Sequence, residues 1–322
     1  MLEFFHTNLA SLDPAVAGLI EYEAERQARK LILIPSESQA PAAVREALGS
    51  VFQNIYAEGY PDPSIHGAPQ GDILDYEVQL AHYRRYSDRR YYKGVEYVDV
   101  LESLARRRAA EAFATDAVPP DEIWANVQPL SGSPANNAIY AALVPPGSTV
   151  MGMDLLHGGH LTHGSPANRS GKLYSIVSYG IDLETERLDY DALEELARQC
   201  KPKMIIAGYT SYPWMPDWAR FRRIADAVGA YLLADIAHIA GMVAAGVVPS
   251  PVGHAHVVSF TTHKTLYGPR GACILTTDKK LAEKVDAAVF PGEQGGPYVN
   301  AIAGMVVAFQ LARSPEFIEL QR

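Results

Sequence analysis

The stretch 257-VVSFTTHKTLYGPRG-271 decides how this chain is read. Its apolar, β-branched start predicts a buried strand, and that strand delivers Lys264 to its own edge. Desolvating an ammonium is costly, so a lysine directly after a core strand either snorkels to solvent or is kept for chemistry. Outward from this stretch the chain repeats one pattern. Helices are predicted at VLESLARRRAAEAFA, SPANNAIYAALV, YDALEELARQC and ARFRRIADAVG, alternating with strands at WANVQPL, STVMGMD, KMIIAGY and AYLLAD. Such alternation predicts an α/β fold: a mostly parallel sheet with helices on both faces, whose ligands collect beyond the carboxyl ends of the strands.

Bulk properties narrow the class. The 322 residues, 48% hydrophobic, can bury one large core or two smaller ones. A net charge of −9 argues against nucleic acid or an anionic membrane as the main partner. Cys200 and Cys273 are too few for a disulfide framework and suit a reducing compartment. The N-terminus has no basic region followed by an apolar core, and no stretch approaches membrane-spanning length, so the expected location is cytoplasmic. Near that end, Asp13-Pro14 caps a helix over AVAGLIEYEAERQARK, LILIPSES is expected to be extended, and PAAVREALGSVF reads as a short helix. At the other end, AIAGMVVAFQLARS predicts one more helix followed by a helical turn.

Three features carry chemistry. Asp235 follows the apolar run YLLAD and Lys264 follows VVSFTTH, which places a carboxylate and an amine at two strand ends facing one crevice. As a pair they fit either a salt bridge or a cofactor site. The third feature is SGSPANNA, residues 131–138, where small residues open a helix whose free amides form either an ordinary cap or an anion cup. Together the three suggest pyridoxal 5′-phosphate (PLP). A lysine takes the cofactor aldehyde, a carboxylate keeps the pyridine nitrogen protonated, and backbone amides hold the phosphate. The run HGGHLTHG, residues 157–164, invites a zinc reading, but its spacing fits no metal motif. A ring stacked on the pyridine, with neighbouring histidines bonded to backbone, fits better, and no metal is expected.

These residues resemble serine hydroxymethyltransferase, a PLP enzyme of the aspartate aminotransferase fold type, over essentially the whole chain. The resemblance implies that Lys264 is the Schiff-base lysine and Asp235 the partner of the pyridine nitrogen, with His238 near a cofactor oxygen and His160 stacked on the ring. It places Ser131, Gly132 and Ser133 at the phosphate, and Thr210 and His263 against the cofactor. Gly295 and Gly296 would reach the phosphate of a neighbouring subunit. Glu58 is the implied proton-transfer group, with Tyr56, Ser36 and a partner-derived Tyr92 as substrate contacts. Leu155, Gly159 and Leu161 fall where folate is held. The implied activity is interconversion of serine and glycine, with tetrahydrofolate as one-carbon acceptor, in a homodimer with shared sites. Alternatives are a folate-independent aldolase or transferase on threonine-like or α-methyl amino acids, and a PLP-binding scaffold without activity.

The chain departs from the family pattern in places. The segment Asp62 to Arg89 stands where the family has only a few residues, and is expected to be a long loop. Lys93 replaces a glycine after RYY, and Ser38 replaces an asparagine. The implied organisation is an arm at 1–60, a large cofactor domain at 61–294, and a linker helix at 295–322 toward a small C-terminal domain that is absent from the chain. No residue can be assigned as the carboxylate-binding arginine which that domain supplies. Without it, the apolar helix at 300–313 is expected to lie exposed and to invite a partner.

Overall fold

A computed structural model describes residues 2–86 and 89–322, so Ser87 and Asp88 of the extra segment lie outside the described residues. Contacts divide the chain into two compact units, Met1–Glu37 and Ser38–Arg322. The first is built on helix Pro14–Arg29, where the Asp13 carboxylate accepts the Val16 amide at 3.1 Å, as the cap signal predicts. LILI forms no strand; Leu31, Leu33 and Ile34 are exposed, and with no neighbouring strand to satisfy its backbone the run stays irregular.

The second unit is a helix-covered sheet of seven strands. In chain order they are β1 (Trp124–Asn126), β2 (Thr149–Met153), β3 (Ser175–Tyr179), β4 (Met204–Ala207), β5 (Tyr231–Asp235), β6 (Val257–Thr261) and β7 (Ala272–Thr276). The spatial order is β1-β7-β6-β5-β4-β2-β3. Every pair among β3, β2, β4, β5 and β6 is parallel, while β7 runs antiparallel to both β6 and β1. This is the α/β architecture that the alternating pattern predicts. Two strands escape that pattern. SIVSY (β3) is a half-exposed edge with serines inside it, and ACILT (β7) follows β6 with no helix between them, so neither fits the helix–strand alternation.

Neighbouring residues of the central strands face opposite ways. Val257, Leu233 and Ile206 pack in one buried cluster, and Val258, Leu232 and Ile205 in another on the opposite face. Helix Val299–Leu311 corrects an expectation: instead of lying exposed it is buried, packed against helices Glu96–Phe113 and Ala42–Leu48. Its Phe309 meets Phe260 of β6 edge-on at 6.4 Å. The extra segment is likewise not a structureless loop. It contains helices Gln70–Ile73 and Tyr76–Tyr86, and Ile73 joins the main core because the following helix Glu96–Phe113 offers it an apolar face. No single helix among the described residues is long and apolar enough to cross a membrane.

Phe309 is fully buried, so Phe309→Ala should cost about 3–5 kcal/mol by leaving a cavity. Urea denaturation should show a lower midpoint at an unchanged slope; a loss under about 1 kcal/mol would mean that this helix is not core.

Candidate active site

The parallel strands place their carboxyl ends on one edge of the sheet, and the chemistry collects there. Asp235, the last residue of β5, is almost wholly buried. Its Oδ2 accepts from Asn136 Nδ2 at 2.9 Å and lies 3.0 Å from His163 Nε2; its Oδ1 accepts the Ala237 amide at 3.2 Å. Burial alone would raise this carboxyl's pKa, but the His163 hydrogen bond and charge, with Asn136, outweigh it and hold Asp235 well below the usual carboxylate range. An ionised Asp235 only accepts, so His163 carries its proton on Nε2. The expectation that the neighbours of His160 bond to backbone holds for His157, whose Nδ1 accepts the Ile181 amide at 3.1 Å; it is corrected for His163, because a buried anion is the stronger acceptor.

The donors are themselves aligned. Ser259 Oγ of β6 donates to Asn136 Oδ1 at 2.8 Å, and Asn136 Nδ2 also reaches Thr162 Oγ1 at 2.9 Å. Thr162 then meets His160 Nδ1 through its hydroxyl at 2.7 Å and its amide at 3.2 Å. His160 Nδ1 is therefore an acceptor and the ring proton sits on Nε2. Burial lowers the pKa of His160, which favours the neutral ring. Asn136, Thr162 and Ser259 were not singled out from the sequence, and His163 only as a histidine expected to bond to backbone. Their signal is faint, because each acts through a partner remote in the chain.

Lys264 lies just beyond β6, 7% exposed, with Nζ 3.0 Å from His238 Nε2. Burial lowers its pKa, and Asp235 works in the opposite direction. Burial, then the nearby Lys264 charge, brings His238 down to about 4, so it is neutral near pH 7 and accepts from the ammonium. Burial likewise brings His263 down to about 4; its Nδ1 has no partner, and its carbonyl accepts from Ser38 Oγ at 2.6 Å. Ser38, a departure from the family pattern, thus anchors the residue before Lys264.

Ser131 caps helix Gly132–Leu143 without a side-chain hydrogen bond, leaving its hydroxyl and the first amides open. A Cβ on Gly132 would lie 2.8 Å from Thr261 Cγ2, so only glycine lets β6 approach this helix start. Thr261 Oγ1 is buried there without a partner, a further candidate that the sequence reading missed. Thr210 Oγ1 is also buried and unpartnered, as a group reserved for a ligand would be. Beside His160, Leu155 and Leu161 expose about half their surface on two short helical turns, with Gly159 buried between them.

A second group assembles elsewhere. Tyr56 donates to Glu58 Oε1 at 3.1 Å and meets Tyr92 edge-on at 5.4 Å, while Gly295 and Gly296 lie against Glu58 and Tyr56. Just behind it, buried Arg90 binds Glu102, Asp99 and the Gly59 carbonyl, and Gln128 binds both Glu102 and that carbonyl. No hydrogen bond, ion pair or ring contact among the described residues joins Glu58, Tyr56 or Tyr92 to the Lys264 group. Lys93 is exposed in the turn after Tyr92. Ser36 belongs to the unit Met1–Glu37, where it sits half-buried in a turn.

His160, His163 and Asp235 each offer a ligand atom within 4.8 Å of the others. Their hydrogen bonds argue against an ion. His163 Nε2 holds the proton it gives Asp235, and His160 Nδ1 is filled by Thr162.

Asn136→Ala should cost about 1–3 kcal/mol by removing a donor from Asp235 and orphaning Ser259. A depressed carboxyl contributes stability above its unfolded pKa, about 3.9, and loses it as pH falls toward the lower native value. The gap between wild type and variant in urea melts should therefore narrow below about pH 4. A gap constant down to pH 2 would mean that Asn136 acts only as packing.

Comparison with known proteins accounts for this arrangement. A family model described as serine hydroxymethyltransferase matches residues 9–87 and 72–322, the two matches overlapping at 72–87 within the extra segment. Together they span nearly the whole chain. A buried strand-end aspartate, a lysine just beyond the adjacent strand and an open helix start thus stand in a chain that belongs to the serine hydroxymethyltransferase family.

Proposed function

We propose that this chain binds PLP at Lys264 and interconverts serine and glycine, passing the one-carbon unit to tetrahydrofolate at sites shared between two copies. The family is PLP-dependent and carries out serine–glycine one-carbon transfer. The observation that carries the proposal for this chain is the ionised, buried Asp235 beside Lys264, at the edge where helix Gly132–Leu143 leaves its first amides open.

The residues fit the cofactor. The Ser131 hydroxyl and the Gly132 and Ser133 amides offer donors for the phosphate, with Thr261 Oγ1 unpartnered beside them. Asp235 holds a proton on a ring nitrogen, because an anion fixed by two donors stays ionised at neutral pH. His160 supplies a neutral flat ring, and Thr210 a free hydroxyl. When bound, PLP supplies an aldehyde for amines and a ring that draws off the electrons left by bond cleavage. Burial of Lys264 lowers the cost of losing the ammonium proton, and a hydrogen bond to His238 Nε2 holds the amine in place.

Glu58 is the group for moving a proton at the substrate hydroxyl, oriented by Tyr56. The exposed Leu155 and Leu161 form an apolar shelf suited to a flat pteridine, and the missing side chain of Gly159 lets the Met153 and Asp154 carbonyls pack closely between them. Since Glu58, Tyr56, Tyr92, Gly295 and Gly296 gather apart from Lys264, a complete site takes one group from each of two copies. We assign Ser36 to the substrate carboxylate on resemblance alone.

Mixing with PLP should give a visible absorption band that Lys264→Ala lacks. Serine should be converted only when tetrahydrofolate is present; turnover indifferent to folate would favour the aldolase alternative, and no band would end the proposal. Lys264→Ala and Glu58→Gln should each be inactive. Mixed and refolded together they should recover about a quarter of wild-type activity, since half the dimers are mixed and each carries one intact site. No recovery would show that both groups act within one copy.

A further inference from the structure

A cavity of about 490 Å³ lies apart from the lysine site, between the extra segment, helix Glu96–Phe113 and helix Lys279–Ala287. Neither Lys264, Asp235 nor His160 lines it. Its volume is in the range of small-molecule sites, and its walls are mostly apolar. Pro61, with Pro63 and Ile65 of the extra segment, forms one wall, and His66 stacks flat on Trp124 at 3.4 Å.

Most polar groups around it are already engaged, but among the described residues the side chains of Ser103, Lys279 and Glu283 have no hydrogen bond or ion pair. Arg106 binds Glu102 and Asp286, Arg107 binds Glu111 and Asp121, and Asp62 accepts the Ser64 amide with Arg89 at 3.7 Å. Ser103 is 5% exposed and lines the cavity, and its hydroxyl has no partner among the described residues. A buried hydroxyl left unpaired is costly unless something else occupies it. A smaller pocket shares Pro61, Asp62, Ile65 and Ser103 and contains a second unpartnered atom, His82 Nε2. Lys279 stands at the mouth, its amine 5.8 Å over the Trp124 ring and in no ion pair among the described residues. Glu283, one helical turn on, is exposed.

We propose that this cavity is a second ligand site, taking a flat aromatic acid whose rings lie among Trp124, His66 and Phe290. Ser103 hydrogen-bonds a polar atom on the ring, and Lys279 pairs with the acidic group. Gly59, Phe290 and Pro291 also line the cavity, so its occupant borders both segments that carry Glu58 and Gly295. The site needs no chemistry from Lys264 and stands whether or not the proposed reaction does.

The probe is 2-naphthoate, added to the full chain with and without PLP, and the readout is tryptophan fluorescence in wild type against Trp124→Phe. We expect a saturable change that is absent in Trp124→Phe and unaffected by PLP. Ala110→Leu, which fills the cavity floor, should abolish it. Ser103→Ala should weaken binding by about fivefold, the worth of one hydrogen bond. Lys279→Gln should remove the preference for 2-naphthoate over its amide. No saturable Trp124 signal, an undiminished signal in Ala110→Leu with unchanged affinity in Ser103→Ala, or a signal that follows protein concentration would each overturn the proposal. The last would show that a second copy fills the cavity.

Discussion

An anion inside a protein persists only where fixed donors replace the water it has lost, and the site is built around that condition at Asp235. Satisfying one carboxylate recruits Asn136 from the helix after β1, His163 from the turn after β2, and Ser259 from β6. Those elements adjoin only because β5 lies between β4 and β6 with its carboxyl end on the same edge. The glycine at 208, with φ of +150° and a would-be Cβ 2.0 Å from the Asp235 carbonyl, lets the end of β4 close in as well. The orientation of His160 follows from the same web, through Thr162.

A second buried charge system organises the other group. Glu102 is fully buried; burial would raise its pKa, and Arg90 and Arg106 hold it down instead. Such a cluster contributes little net stability compared with an apolar core, but losing one member strands the rest at about 3–5 kcal/mol. What it provides here is position. The segment before it has no regular secondary structure around Glu58, and the charge cluster takes the place of a sheet or helix in fixing that backbone.

The parallel sheet was legible because buried parallel strands are apolar runs alternating with helical periods, and VVSFTT, YLLAD and KMIIAGY are such runs. Lys264, Asp235 and the helix start at Ser131 were legible because strand ends and helix starts are positions at which polar groups need a reason. Asn136 and His163 were not, since an asparagine inside a helix and a histidine in a turn satisfy ordinary local rules, and their roles come from contacts 99 and 72 residues away. The extra segment was misjudged for a related reason. Its helix Tyr76–Tyr86 has no buried residues of its own, so no apolar stripe announces it. Helix Val299–Leu311 failed in the opposite way: apolar on every side, it reads as exposed unless two flanking helices are known to cover it.

The Gly59 carbonyl, shared by Arg90 and Gln128, has an evolutionary corollary. Glu58 inherits its location from groups that also hold the fold together, so variants that would shift it are removed for instability before their chemistry is ever tested by selection. Sequence change is thereby channelled away from this carboxylate and toward exposed positions such as Leu155 and Leu161, which can change at little cost to folding.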